Sequence, residues 1–139
     1  MPYSGTLYML FAAVRKYWKG QVSQLIQSIF GDAEVGCALK FVVVVDDNVD
    51  IRDLSHVNWA IANHVQADRD VFITSRGPEW ELDAAQPYSK RGWSAKMGID
   101  ATLPTEEYEA EGTKPPPLCD DPDIKAKVED QWKKYGINI

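Results

Sequence analysis

Lys40-Phe41-Val42-Val43-Val44-Val45-Asp46-Asp47 decides the fold. Its apolar run is continuous rather than alternating, as expected for a strand covered on both faces of a parallel sheet. Upstream, residues 6–14 are rich in aromatic and aliphatic side chains and form a second expected strand. Between the two, Val22, Leu25, Ile26 and Ile29 fall at i, i+3, i+4 and i+7, one face of a helix, and Gly31 is placed to end it in a left-handed conformation. Downstream, Asp53 is suited to cap a helix running to Val65, with Val57, Ala60, Ile61 and His64 or Val65 inward, and Asp70-Val71-Phe72-Ile73-Thr74 supplies a third strand. Strands alternating with helices through short links point to right-handed crossovers.

The sequence therefore predicts a single α/β domain with a mainly parallel βαβαβ sheet, a long irregular loop and a protruding C-terminal helix. The core occupies about residues 5–75 and the loop about residues 76–120, with the terminal helix at 121–135. The loop loses periodicity and is dominated by Gly, Pro and charge, with Pro115-Pro116-Pro117 as a stiff strut. In the terminal helix Ile124, Val128 and Trp132 share a stripe, acids precede it, Lys133 and Lys134 end it, and Gly136 follows, an order that suits the helix dipole.

With 139 residues the chain suits one domain. Its formal charge of −6 and pI near 4.8 offer no basic stripe for phosphates, which argues against nucleic-acid binding. The longest apolar runs, residues 7–14 and 41–45, fall far short of the roughly 20 residues that cross a bilayer. Arg15, Lys16 and Lys19 follow the first apolar stretch instead of preceding it, unlike a signal peptide. Cys37 and Cys119 form neither a disulfide framework nor a zinc motif, and they lack the context of a nucleophile. A reduced, cytoplasmic domain without a membrane span is expected.

Few residues invite chemistry on their own. Asp46, Asp47 and Asp50 follow the central strand, where open α/β sheets commonly bind ligands. They suit either a Mg²⁺ site or the termination of one element and the capping of the next. His56 and His64 sit on one expected helix with no Cys or Ser partner nearby, the pattern of satisfied helical histidines. No Gly-rich phosphate loop, nucleophile elbow or paired helical Glu is present. The run from Val42 to Asp47 resembles the opening of a response-regulator receiver domain, but the later strand ends Ile73-Thr74-Ser75 without the phosphate-accepting Asp of that family.

A longer resemblance runs through the chain. Lys40 to Asp47 leads into Asp50-Ile51-Arg52-Asp53-Leu54, then Val57-x-Trp59-Ala60-Ile61-Ala62 and Asp68-Arg69-Asp70-Val71. Leu82-Asp83 and Ser94-x-Lys96-Met97-Gly98-Ile99-Asp100-Ala101-Thr102 follow. In order and spacing these segments resemble the C-terminal domain of the UbiD family of prenylated-FMN-dependent decarboxylases and carboxylases. Arg15-Lys16-Tyr17 with Gly20-Gln21 resembles the start of that domain, and Val128-x-x-x-Trp132-x-x-x-Gly136-Ile137 its end.

The resemblance implies a separate small subunit, or a fragment of one longer enzyme, that supports reversible (de)carboxylation of an aromatic or unsaturated acid. Prenylated FMN, a divalent metal and the catalytic acids are then expected on a larger partner subunit, with no metal ligand or catalytic residue in this chain. Trp80 and Leu82, before Asp83, match the family's pocket-lining stretch, although Pro78-Glu79-Trp80-Glu81 replaces its more usual Gly/Pro-rich approach. Surface packing is the competing role for Trp80. For Lys96 and Asp100 a structural ion pair or turn is expected. Ile124, Val128 and Trp132 become the expected interface with another chain. A non-catalytic assembly or regulatory protein that keeps only this interface is the alternative.

Overall fold

A computed structural model of the chain describes residues 8–113 and 122–136. Thr6 and Leu7 of the first expected strand, the Pro115–Pro117 strut and Cys119 lie outside the described residues. The chain divides after Pro104 into two compact units.

The first unit is built on a four-stranded sheet. Strand β1 (Met9–Val14) pairs in parallel with β2 (Phe41–Asp46), Met9 lying opposite Phe41 and Val14 opposite Asp46. Helix α1 (Gln21–Gly31) connects them and buries Val22 and Ile26. Val42, Val44 and Leu39 join these two in a core completed by Leu10, Ala12, Phe30 and Phe72. Because strand side chains alternate, Val43 and Val45 face the opposite way, and they are buried as well. The unbroken apolar run of β2 is the signature of that two-sided burial.

Three local expectations change. Gly31 stays within α1, and the left-handed glycine is Gly20, at φ 80° before the first turn. Helix α1 ends instead on Asp32, whose Oδ1 accepts the N–H groups of Glu34 at 2.9 Å and Val35 at 2.7 Å. Those bonds start a short helix, α2 (Val35–Ala38), that carried no periodic signal. Gly36 in α2 lies against α1, where a Cβ would come within 2.5 Å of the Phe30 carbonyl oxygen.

Helix α3 (Leu54–His64) begins as expected, the Asp53 carboxylate accepting the Ser55 N–H at 2.8 Å. The turn α4 (Ala67–Asp70) leads to β3 (Val71–Pro78). The α/β class stands, but β3 is an antiparallel edge strand. The strand that extends the parallel array is β4 (Trp93–Asp100), which lies between β2 and β3 in a region expected to be loop. Its inward positions are Ser94, Lys96 and Gly98, polar or without a side chain, so no hydrophobic alternation marks it. Gly98 is required there: a Cβ would sit 2.3 Å from Ile26 Cγ2.

The second unit contains α5 (Thr105–Ala110), α6 (Pro122–Gln131) and a 3₁₀ turn over Trp132–Tyr135 that ends at Gly136, φ 72°. Ile124 and Val128 are about half exposed and Trp132 is partly buried.

Candidate functional site

Two groups of interacting charged residues lie at the two ends of the parallel strands. At the carboxyl end, Asp46 Oδ2 accepts the Leu103 N–H at 2.6 Å, and the Lys16 ammonium donates to the Leu103 carbonyl. Burial pushes the Asp46 carboxyl above its ordinary pKa, opposed by the Leu103 N–H and the Lys16 charge. Asp47 pairs with Arg15 at 2.7 Å. Asp50 Oδ1 accepts the Arg52 N–H at 2.9 Å. The three aspartates thus tie strand ends and turns together, the structural one of their two expected roles. Among the described residues no three His, Cys, Asp or Glu side chains converge to hold a metal ion.

The histidines are likewise engaged. Buried His64 places Nδ1 3.0 Å from the Ala101 carbonyl oxygen and its ring edge-on to Trp59. His56 Nε2 lies 3.8 Å from Asp53. Lys96 and Asp100 do not pair. They share a face of β4 but stand four residues apart along an extended strand, about 13 Å at its rise per residue. Asp100 Oδ1 instead accepts the Thr102 N–H and hydroxyl, forming the expected turn.

At the amino end of β2 and β4, residues 79–92 connect the two antiparallel strands. Here Trp80 is 40% exposed and Leu82 75% exposed, so both expected pocket residues present apolar surface to the outside. Beneath them lies a polar cluster that sequence reasoning missed. Lys96 is 1% exposed, and its Nζ donates to the carbonyls of Gly36 at 2.6 Å and Leu39 at 2.7 Å while facing the Phe30 ring. Burial lowers its pKa, partly offset by the attraction of Glu79 and Cys37. Across the sheet Gly77 leaves room for it, since a Cβ there would meet Lys96 Cε at 2.5 Å. Lys40 Nζ donates to Asp83 Oδ2 at 2.8 Å in a mostly buried pair, and that hydrogen bond holds the Asp83 carboxyl below its usual value.

Glu79 is the odd member. It is 6% exposed, yet among the described residues neither carboxylate oxygen has a partner at hydrogen-bonding geometry, and the buried Ser94 hydroxyl has none either. The Ser94 hydroxyl and the Asp83 and Lys40 charges still lie near enough to act on it, but burial dominates and raises its pKa. The folded chain therefore holds this proton above the ordinary value near 4.5. As pH rises from there through the folded value, the unfolded chain binds fewer protons than the folded one, and stability falls. Glu79→Gln removes the buried charge. It is expected to raise stability by about 1 kcal/mol at pH 8, the scale of an unsatisfied buried group, and by little at pH 5. Urea melts at both pH values check this; an equal loss at both contradicts it.

Among the described residues of this cluster, no ammonium is left free to hold a flavin phosphate, and no three ligating side chains converge to hold a resident metal. Both buried ammoniums are committed, Lys96 to the Gly36 and Leu39 carbonyls and Lys40 to Asp83, and Trp80 and Leu82 are exposed beside them.

The family described as 3-octaprenyl-4-hydroxybenzoate carboxy-lyase C-terminal domain matches residues 1–101. An uncharacterized protein of Aeropyrum pernix is 32% identical over 130 residues, 94% of this chain and 26% of that protein. The UbiD-class enzyme HmfF from Pelotomaculum thermopropionicum, solved in complex with FMN, is 32% identical with a TM-score of 0.64. The match covers 82% of this chain and 24% of that one. The vanillic acid decarboxylase ShVdcCD of Sedimentibacter hydroxybenzoicus, in closed form, is 27% identical with a TM-score of 0.65, covering 95% of this chain and 27% of that one. This chain thus spans about a quarter of the length of the relatives it matches. Among the described residues no helix is long and apolar enough to cross a membrane.

Proposed function

Because the chain belongs to the UbiD family, matching its 3-octaprenyl-4-hydroxybenzoate carboxy-lyase C-terminal domain, we propose that it is a small subunit that closes the substrate pocket of a larger, flavin-bearing chain. The reaction is reversible (de)carboxylation of an aromatic or unsaturated acid. One observation carries this reading: in a domain of this family, Trp80 and Leu82 stand exposed at the tip of a segment whose base is buried. Large apolar side chains held outward on a locked base are suited to covering a bound substrate. ShVdcCD, whose name joins two components, is a precedent for dividing such an activity.

Prenylated FMN, which when bound supplies the electron sink for loss of CO₂, is assigned to the partner, together with the divalent metal and the catalytic acids. This chain excludes water from the pocket and shapes it. The free thiol of Cys37 suits a reducing, cytoplasmic setting.

Substitution at the tip tests the pocket role. In the assembled complex, Trp80→Ala or Leu82→Ala is expected to shift relative rates across a panel of substituted benzoates that includes vanillic acid. Emptying a pocket by a few methylenes is worth about 1–3 kcal/mol of discrimination. Unchanged relative rates assign both residues to packing.

Helix α6 is assigned to assembly, on the half-exposed stripe of Ile124 and Val128 continued by Trp132. Trp132→Ala is expected to weaken the oligomer by about 2 kcal/mol or more, as truncation of a central interface Trp does, with the monomer still folded by circular dichroism. An intact oligomer with a lowered melting temperature places Trp132 in its own chain's packing instead.

A further inference from the structure

We propose that Lys40 and Asp83 are positioning residues that hold Trp80 and Leu82 as a fixed apolar prong, so that selectivity depends on a buried ion pair as well as on the tip. The proposal rests on the pocket role assigned above to Trp80 and Leu82. Its geometric half stands on bonds at both ends of the segment. At the start, the Glu79 N–H donates to the Gly92 carbonyl at 3.0 Å, and the Trp80 N–H donates to the Cys37 carbonyl at 3.2 Å. At the end, both oxygens of the Asp83 carboxylate are engaged: Oδ2 by Lys40 at 2.8 Å and Oδ1 by the Ala85 N–H at 3.0 Å. The Gln86 N–H then donates to the Asp83 carbonyl at 3.2 Å. Between these pins Leu82 stands out at 75% exposure, and Trp80, fixed by its backbone bond to Cys37, is 40% exposed.

Lys40 is itself immobilised by the sheet. Its N–H donates to the Tyr8 carbonyl at 2.8 Å, and its carbonyl accepts the Met97 N–H at 2.8 Å. Its ammonium lies 5.8 Å from the centre of the Tyr8 ring. The prong is therefore referenced, through Lys40, to Tyr8 just before β1 and to Met97 in β4. A lid that opened readily would show few buried contacts along its length. Here the Lys40 and Asp83 side chains are 15% and 6% exposed. Positioning of this kind matters because a small displacement of groups lining a pocket changes how a substrate is aligned.

The test has two readouts. In the first, hydrogen exchange is followed on the full chain alone at Trp80, Ala85 and Gln86, with Met97 as the internal control. Lys40→Met and Asp83→Asn are each expected to speed exchange at the three prong amides by about tenfold or more while Met97 is unchanged, the pattern of local rather than global opening. Lys40→Arg restores slow exchange. If Lys40→Met fails to fold, Asp83→Asn, which keeps the side-chain shape, decides alone. Unaltered exchange at the prong overturns the clamp.

The second readout uses the complex with the flavin-bearing chain. Lys40→Met is expected to change the ratio of kcat/KM between vanillic acid and unsubstituted benzoic acid by about tenfold, with rescue by Lys40→Arg. Faster exchange with an unchanged ratio overturns the positioning role. Absence of turnover with any partner sinks the proposed function, but the exchange experiment still decides the clamp.

Discussion

Lys96→Ala is expected to destabilise the chain by about 3–5 kcal/mol, the scale on which removal of one partner from a buried charged arrangement and truncation of a long buried side chain both fall. The ammonium satisfies the carbonyls of Gly36 and Leu39, the last turn of α2 and the approach to β2. Without it those carbonyls are stranded where water does not reach, and the stem leaves a void beside Phe30 and Gly77. Lys96→Met keeps most of the volume and removes the charge, so it is expected to cost about half as much, near the 1.5–3 kcal/mol of hydrogen bonds to a charged group. A double-mutant cycle sharpens the point. Gly77→Ala is expected to cost about 1–3 kcal/mol in the natural chain, because its Cβ would collide with the Lys96 stem. In the Lys96→Ala background that cost should disappear. Urea unfolding of the four proteins measures both effects. Additive losses would show that Lys96 and Gly77 do not share the space described here.

The same lysine explains where the sequence was opaque. Strand β2 was legible because all its inward residues, on both faces, are valine. Asp53 was legible as a cap because its side chain acts on a residue two positions away. Strand β4 was not, because Ser94, Lys96 and Gly98 occupy the positions where alternation is normally apolar. Its outward set of Trp93, Ala95, Met97 and Ile99 held the only periodic signal, and it faces the less buried side. With β4 hidden, β3 was joined to the parallel array in its place, although β3 turns back along the edge. Helix α2 was missed for a different reason: four residues are too few to show a period, and a carboxylate in the preceding turn starts it.

The candidate site divides in the same way. Trp80 and Leu82 were found by family position, and the structure places both at one exposed tip. The pair beneath them, Lys40 and Asp83, is separated by 43 residues and makes no local pattern. Glu79 looked like one charge among several in a polar stretch, yet it is nearly as buried as the valine core. Conversely, the aspartates at the carboxyl edge drew attention by clustering in sequence, and the fold spends them on Leu103, Arg15 and Arg52.

The largest functional effect is expected from assembly. The chain alone should retain no stoichiometric flavin and should not decarboxylate substituted benzoates, and a larger UbiD-type chain carrying prenylated FMN should bring turnover when the two are combined. The physical reason lies in the division of groups: Lys40, Lys96, Asp46 and Asp83 are engaged in holding the fold, while the exposed Trp80 and Leu82 have the character of a cover. A cover raises the rate by excluding water and fixing substrate around chemistry that another chain performs. Turnover by the 139-residue chain alone would place catalytic groups within it and would overturn the subunit role.

Native mass spectrometry of the protein isolated from its own cells, with the flavin absorbance recorded on the same sample, decides whether this chain works beside a separate flavin-bearing one. The expected result is a complex in which this chain is bound to a larger UbiD-type chain that carries the flavin. Recovery of this sequence as part of one longer polypeptide, or free of any flavin-bearing chain, would contradict it.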